Sequence, residues 1–385
     1  RVRREDNAWQ LTQVPEAQAA LVALDPEDGA LLSLVGGLGF AKSKFNRVTQ
    51  AVRQPGSSFK PFIYSAALEQ GWTAASIIND APVVFEDAAL EDTWRPENDG
   101  GRFYGPTRLR WALTKSRNLV SIRLLEQIGI TTAIDYAGRF GFKTDEMARD
   151  LSLALGTHAV TPLELATAYA SLANGGYRVY PYLIDRVENF DREEVFKNRP
   201  ITVCRDCEDE DALDSLPVEE ELSMEEILRQ AEASELPRAE RVMDECVNFI
   251  IDSILQDVIK LGTGRRARVL ERSDIAGKTG TTNGPTDAWF SGYNPDVVAT
   301  AWLGFDSNAE LGKNEFGGKA SLPMWIELMR AALGDSPERA RTVPECITNV
   351  RIDPATGLLA RPGQANAIFE VFRVENVPTD TVTQR

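Results

Sequence analysis

Strand-like segments stand at both ends of the main body of this 385-residue chain, and the stretch between them reads mainly as helix. Residues 19–24 and 30–35 flank Asp25-Pro26-Glu27-Asp28-Gly29, and the Pro and Gly there suit a chain reversal, so a β-hairpin is expected. Residues 273–276, 288–293 and 297–304 predict further strands separated by turns. Helices are predicted from Ser57 to about Gln70 and over 109–129, 161–173, 247–261 and 322–333. In the second of these, Leu113, Val120, Ile122, Leu125 and Ile128 offer an apolar stripe. In the third, Thr161 suits the N-cap, Pro162 the first helical position and Asn174-Gly175-Gly176 the stop. A hairpin first, helices next and strands late predict an α+β fold with a mostly antiparallel sheet.

Charge narrows the function classes. The net charge is −16, which argues against a generic nucleic-acid binder. Most of that charge lies between Asp206 and Glu245, where sixteen acidic residues face three arginines. Residues 191–245 therefore read as an acidic surface insertion, partly helical around 224–233. No run approaches the ~20 apolar residues of a membrane span, and the N-terminus has no secretory apolar segment. Cys204-x-x-Cys207 has no second pair and there is one histidine, so a four-ligand zinc site is not expected; a local disulfide or two thiols fit better.

Three short motifs can carry chemistry. In Gln54-Pro55-Gly56-Ser57-Ser58-Phe59-Lys60, Ser57 opens an apolar helix, and Lys60 follows about one turn later on the same side. A lysine with a lowered pKa can activate such a serine. In Lys115-Ser116-Arg117-Asn118, Ser116 can relay a proton and Asn118 can both donate and accept. In Gly277-Lys278-Thr279-Gly280-Thr281-Thr282, a phosphate loop would need glycine at position 272, where Arg272 stands. A strand edge gripping an anion fits better, with Gly280 admitting a substrate backbone. Taken singly, the first two motifs are better read as an N-cap serine with a solvated lysine and as surface polarity.

Their order is more telling. Ser-x-x-Lys, Ser-x-Asn and Lys-Thr-Gly in sequence resemble the triple signature of penicillin-binding proteins and class A β-lactamases. Further matches are Lys44-Phe45-Asn46-Arg47, Trp94-Arg95-Pro96-Glu97-Asn98, Ser152-Leu153-Ala154-Leu155-Gly156, Gly262-Thr263-Gly264 and Asp287-Ala288-Trp289-Phe290-Ser291-Gly292-Tyr293. With these, the chain resembles the transpeptidase domain of class A (bifunctional) penicillin-binding proteins of the Gram-negative type 1a. The resemblance implies a serine penicillin-recognising fold: an antiparallel sheet flanked by helices, plus a helical lobe. It implies acyl transfer on peptidoglycan stem peptides, with Ser57 attacking the penultimate D-Ala and β-lactams acylating the same serine. It makes Ser57, Lys60, Ser116 and Lys278 catalytic, and Asn118, Thr279, Gly280 and Thr281 substrate-binding. Backbone N–H groups of Ser57 and Thr281 would form the oxyanion hole. No cofactor or metal is implied. Partners would be stem peptides, an amine acceptor, β-lactams and, as a candidate, an outer-membrane lipoprotein activator. The place would be the periplasmic face of the inner membrane.

The expected layout is a residual linker over 1–15, a transpeptidase domain over 16–190 and 246–340, and a C-terminal extension over 341–385. The family's membrane anchor and glycosyltransferase domain are not in this sequence, so only acyl transfer is expected of it. A class A β-lactamase of this fold would carry Glu-x-x-Leu-Asn, and its absence counts against efficient deacylation. A D,D-carboxypeptidase would carry the same three motifs. A histidine triad would have to use His158 and a Gly-x-Ser-x-Gly elbow that is not present. A non-catalytic β-lactam sensor would be separated by turnover of a stem peptide. Trp289, Phe290 and Tyr293 are read as sheet core.

Overall fold

The computed structural model describes residues 2–5, 8–11, 13–87, 92–205, 237–282 and 284–382. Its centre is a five-stranded antiparallel sheet with spatial order Ala276–Thr281, Asp287–Tyr293, Val298–Gly304, Gln18–Leu24 and Leu31–Val35. The N-terminal hairpin thus completes a sheet whose other strands lie far along the chain, with Trp302 opposite Ala20. Asp287–Tyr293 is buried at every position, so both of its faces are covered. On one face lie the helices Pro162–Ala173 and Glu245–Lys260. On the other lies Leu322–Leu333, where Trp325 meets Phe290 edge-on at 4.9 Å between ring centroids. Trp289, Phe290 and Tyr293 are sheet core, as expected.

Lys60–Glu69 is buried from Lys60 to Leu68, the pattern of a helix surrounded by others. It packs against Asn118–Ile128, Ile130–Arg139 and Glu245–Lys260 to form the helical lobe. Thr161 caps Pro162–Ala173 in a full capping box with Glu164, as the sequence suggested.

Several expectations are corrected. The helix read over 109–129 is two, Leu109–Thr114 and Asn118–Ile128, broken where Ser116 adopts a φ of 59°. The strand read at 273–276 is Ala276–Thr281, so the Lys-Thr-Gly motif lies on the strand itself. The helix read from 247 begins at Glu245, capped by Asp244. Residues 1–15 contain a short hairpin, Val2–Glu5 with Ala8–Leu11. The C-terminal extension, which the sequence reads as loop-rich from about residue 340, holds a two-stranded sheet, Ile347–Ile352 with Ile368–Arg373. His158 is buried, 7% exposed, and lines a cavity separate from the one described below. Cys246 and Cys346 form a disulfide that spacing gave no reason to expect. Cys204 is also disulfide-bonded; Cys207 and the predicted helix at 224–233 lie outside the described residues.

Candidate active site

The nucleophile candidate sits on a short turn of 3-10 helix, Gly56–Phe59, running straight into Lys60–Glu69. The turn is wedged in place by backbone. Gly56 has a φ of 55°, and a Cβ there would lie 2.4 Å from the Thr281 carbonyl oxygen. Its N–H donates to the Gly156 carbonyl at 3.2 Å, and a Cβ on Gly156 would collide with the Gly56 oxygen. From the sheet, Trp289 Nε1 donates to the Gln54 carbonyl at 2.9 Å. The Tyr169 hydroxyl donates to the Ser58 carbonyl at 2.7 Å. Ser57 is thereby pinned between the edge strand, the 151–156 segment and the lobe.

A cavity of about 790 Å³ opens beside it, lined by Ser57, Ser116, Asn118, Thr279 and Thr281. Three distant motifs therefore meet at one cleft. Lys60 and Lys278 do not line it; both are fully buried behind residues that do. Lys60 Nζ donates to Asn118 Oδ1 at 2.7 Å and to the Ser116 carbonyl at 3.0 Å. Lys278 Nζ donates to Ser116 Oγ at 2.9 Å and to the Thr279 carbonyl at 3.0 Å. Ser116 thus touches both lysines, one through its backbone and one through its hydroxyl. Burial drives the Lys60 amine well below the usual lysine range; Lys278 and Arg117 push the same way, and Asp80 opposes them. Burial lowers Lys278 to about 7. Lys60 is thus depressed by burial and by Lys278, whereas Lys278 owes its shift to burial.

Lys278 and Gly280 share one face of the edge strand, and Thr279 and Thr281 the other. Thr279 Oγ1 lies 2.6 Å from Thr263 Oγ1, and Thr281 Oγ1 accepts from the Gly317 N–H at 3.1 Å. Gly280 is in contact with the serine turn: a Cβ there would lie 2.2 Å from the Pro55 oxygen. Asn118 Nδ2 donates to the Glu97 carbonyl at 2.9 Å, so both ends of its amide have protein partners. Trp94 lines the cavity, while Tyr104 stacks on the Arg117 guanidinium at 3.3 Å.

Sequence reasoning gave no role to Thr263, Asp80 or Asn98, although Thr263 and Asn98 stood inside quoted motifs. Asn98 Oδ1 accepts from the Asn118 N–H at 2.8 Å, and its Nδ2 donates to Asp80 Oδ1 at 2.6 Å. A polar residue spaced before a Ser-x-Asn motif carries no periodic signal, so only the folded contact reveals it.

A serine at a helix start, two buried amines and a sheet edge thus meet at one cleft on an α+β scaffold. The family model of the penicillin-binding protein transpeptidase domain matches residues 19–329, and the chain belongs to that family. It is 50% identical to penicillin-binding protein 1A of Pseudomonas aeruginosa over 98% of its length, covering 47% of that protein. It is 42% identical to the protein of the same name from Vibrio cholerae, over 100% of its length and 48% of the relative. Penicillin-binding protein 1A from Haemophilus influenzae has a solved structure that superposes with a TM-score of 0.89 at 38% identity, covering 99% of this chain and 57% of that one. At 22% identity, and so for the fold alone, PonA1 from Mycobacterium tuberculosis in complex with penicillin V superposes with a TM-score of 0.67 over 86% of this chain and 82% of that one. The chain spans about half the length of the curated relatives it matches. Among the described residues, no helix is long and apolar enough to cross a membrane.

Proposed function

We infer that this chain carries a peptidoglycan D,D-transpeptidase centre that β-lactams acylate. The observation that supports it best is the pair of buried amines joined through Ser116 beneath a cleft that Ser57 lines. A neutral amine has two N–H groups and one lone pair. Lys60 spends two donors on the Ser116 carbonyl and Asn118 Oδ1, which leaves the lone pair to accept the Ser57 proton. Ser57 Oγ attacks the penultimate D-Ala carbonyl of a stem peptide. Its proton passes to Lys60, and the oxyanion is received by the backbone N–H groups of Ser57 and Thr281, each such donor being worth ~3 kcal/mol. Ser116 hands its proton to the departing nitrogen and regains one from Lys60, so that the proton taken from Ser57 ends on the leaving amine; the C–N bond breaks, D-Ala leaves and an ester remains on Ser57. An amine of a neighbouring stem then attacks the ester, forms the cross-link and returns the serine hydroxyl. Thr279 and Thr281 hold the substrate carboxylate, Lys278 attracts it, and Asn118 holds the peptide amide. A β-lactam enters by the same first step, but its leaving nitrogen stays tethered and blocks the acceptor.

The proposed place is the periplasmic face of a bacterial inner membrane. The Cys246–Cys346 disulfide supports an oxidising compartment of that kind. An outer-membrane lipoprotein activator belongs to the same proposal and rests on relationship alone. Glycosyl transfer is not drawn from this chain.

Intact mass after incubation with benzylpenicillin tests the reading on the parent and on Ser57→Ala. A stable one-to-one adduct on the parent, absent from the variant, is expected. An unmodified parent with intact antibiotic would overturn the reading. An unmodified parent with hydrolysed antibiotic would instead mark a β-lactamase.

A further inference from the structure

Beneath the cleft wall lies a carboxylate that the mechanism above does not use. Asp80 ends the strand Ile77–Asp80 and is fully buried. Its Oδ1 accepts from Asn98 Nδ2 at 2.6 Å. Its Oδ2 makes no hydrogen bond among the described residues and lies 4.0 Å from Arg117 Nε, which is also unbonded. A buried carboxylate so sparsely satisfied is expensive, and such expense is common where function requires it.

The other end of Asn98 explains the placement. Its Oδ1 accepts from the N–H groups of Asn118, at 2.8 Å, and Leu119, at 3.4 Å. These are the first two N–H groups of the Asn118–Ile128 helix, and Arg117, its N-cap residue, gives it no side-chain cap. Asn98 therefore caps that helix from a distant segment. Only the amide oxygen can accept from those N–H groups, and the NH₂ end is held by two acceptors, Asp80 Oδ1 and the Arg102 carbonyl at 2.9 Å, so Asp80 helps to keep the Asn98 carbonyl turned to the helix. The helix so fixed begins with Asn118, whose Oδ1 receives Lys60.

We propose that Asp80 is a positioning residue for acylation: through Asn98 it orients Asn118 under Lys60, and its negative charge offsets the cations crowded around that amine. The charged and titratable groups facing this point are Lys60 and Tyr64 on the central helix, Lys278 on the edge strand and Arg117 at the helix break. Tyr64 hydrogen-bonds Ser121, and burial holds it un-ionised across the working range. Of the charged groups, Lys278 and Arg117 favour neutral Lys60, and Asp80 alone opposes them. Removing its charge therefore makes Lys60 lose its proton at lower pH.

The inference rests on Lys60 being the base for Ser57. The test is the second-order rate constant for acylation by a fluorescent penicillin, followed from pH 5 to 9 on the parent, Asp80→Asn and Arg117→Gln. Asp80→Asn is expected to lower the plateau rate roughly tenfold through misplacement of Asn118, and to move the acid limb of the profile to lower pH. Arg117→Gln is expected to move that limb the other way, and it decides the matter if Asp80→Asn does not fold. A purely structural Asp80 would lower the amount of active protein and leave the limb where it is. An unmoved limb in a folded variant, with the parent acylated normally, would overturn the inference and leave the transpeptidase reading standing. A parent that forms no adduct would remove both.

Discussion

Lys278 sets the role proposed for it against stability at the scale of one residue. Its amine is fully buried and titrates at about 7, far below the 10.5 of a free lysine. Between those values the unfolded chain binds more protons than the folded one, so this residue makes stability rise with pH through that window. Its penalty is largest near and below pH 7 and vanishes towards 10.5. Lys278→Met keeps the length and removes the proton. Thermal unfolding should find the variant more stable than the parent at pH 7, by a few kcal/mol at most, with the advantage shrinking steadily towards pH 10. Acylation should fall on the order of 100-fold, because Ser116 Oγ loses its donor. An advantage that does not change with pH would mean that Lys278 is not buried as a neutral amine.

At the scale of elements, the break at residues 115–117 is what brings Ser116 to the cleft. A continuous helix would carry Ser116 round with its neighbours. Instead Ser116 takes a φ of 59°, a conformation that disfavours residues with a Cβ. Ser116→Gly and Ser116→Ala both lose the hydroxyl, but only glycine adopts this backbone without strain. Ser116→Gly should therefore be the more stable of the two by ~1 kcal/mol, with both acylating slowly; equal melting temperatures would show that the break is not strained. The break was hidden in the sequence because apolar residues on both sides, Leu113 and Val120 among them, keep helical spacing across it. The Lys-Thr-Gly strand was placed too early for a related reason. Ala276–Thr281 is buried at its first five positions, so it lacks the alternation that marks a half-exposed strand. Thr161-Pro162 with Glu164 was readable because a capping box is local. The three motifs that meet at the cleft were readable because each keeps its own short spacing. Asp80 and Asn98 were not, since their meaning lies in contacts to residues 117–119 that only the fold creates.

For the whole molecule, the tail is a brace rather than a wall of the cleft. Its two-stranded sheet presses Ile352 and Phe372 onto Ala75, at the foot of the lobe. Buried Glu370 pairs with Arg108 at 2.9 Å and Arg110 at 2.7 Å, and Arg110 reaches Asp257 at 3.0 Å on the helix that backs the edge strand. Cys346 enters the same arrangement covalently, tied to Cys246 at the start of that helix across 100 residues. Closing a loop of that size restricts the unfolded chain by ~4–5 kcal/mol on the chain-entropy account, of which real proteins keep a variable share. Neither cysteine lines the cavity. A Cys246→Ala, Cys346→Ala double variant should therefore lose roughly 2–4 kcal/mol of stability while keeping its penicillin acylation rate within about twofold at temperatures well below unfolding. Thermal unfolding and acylation kinetics on the same preparation separate the two quantities. A slowed rate with an unchanged melting temperature would mean that the tail positions the backing helix, and with it Lys278, instead of only holding the lobe together.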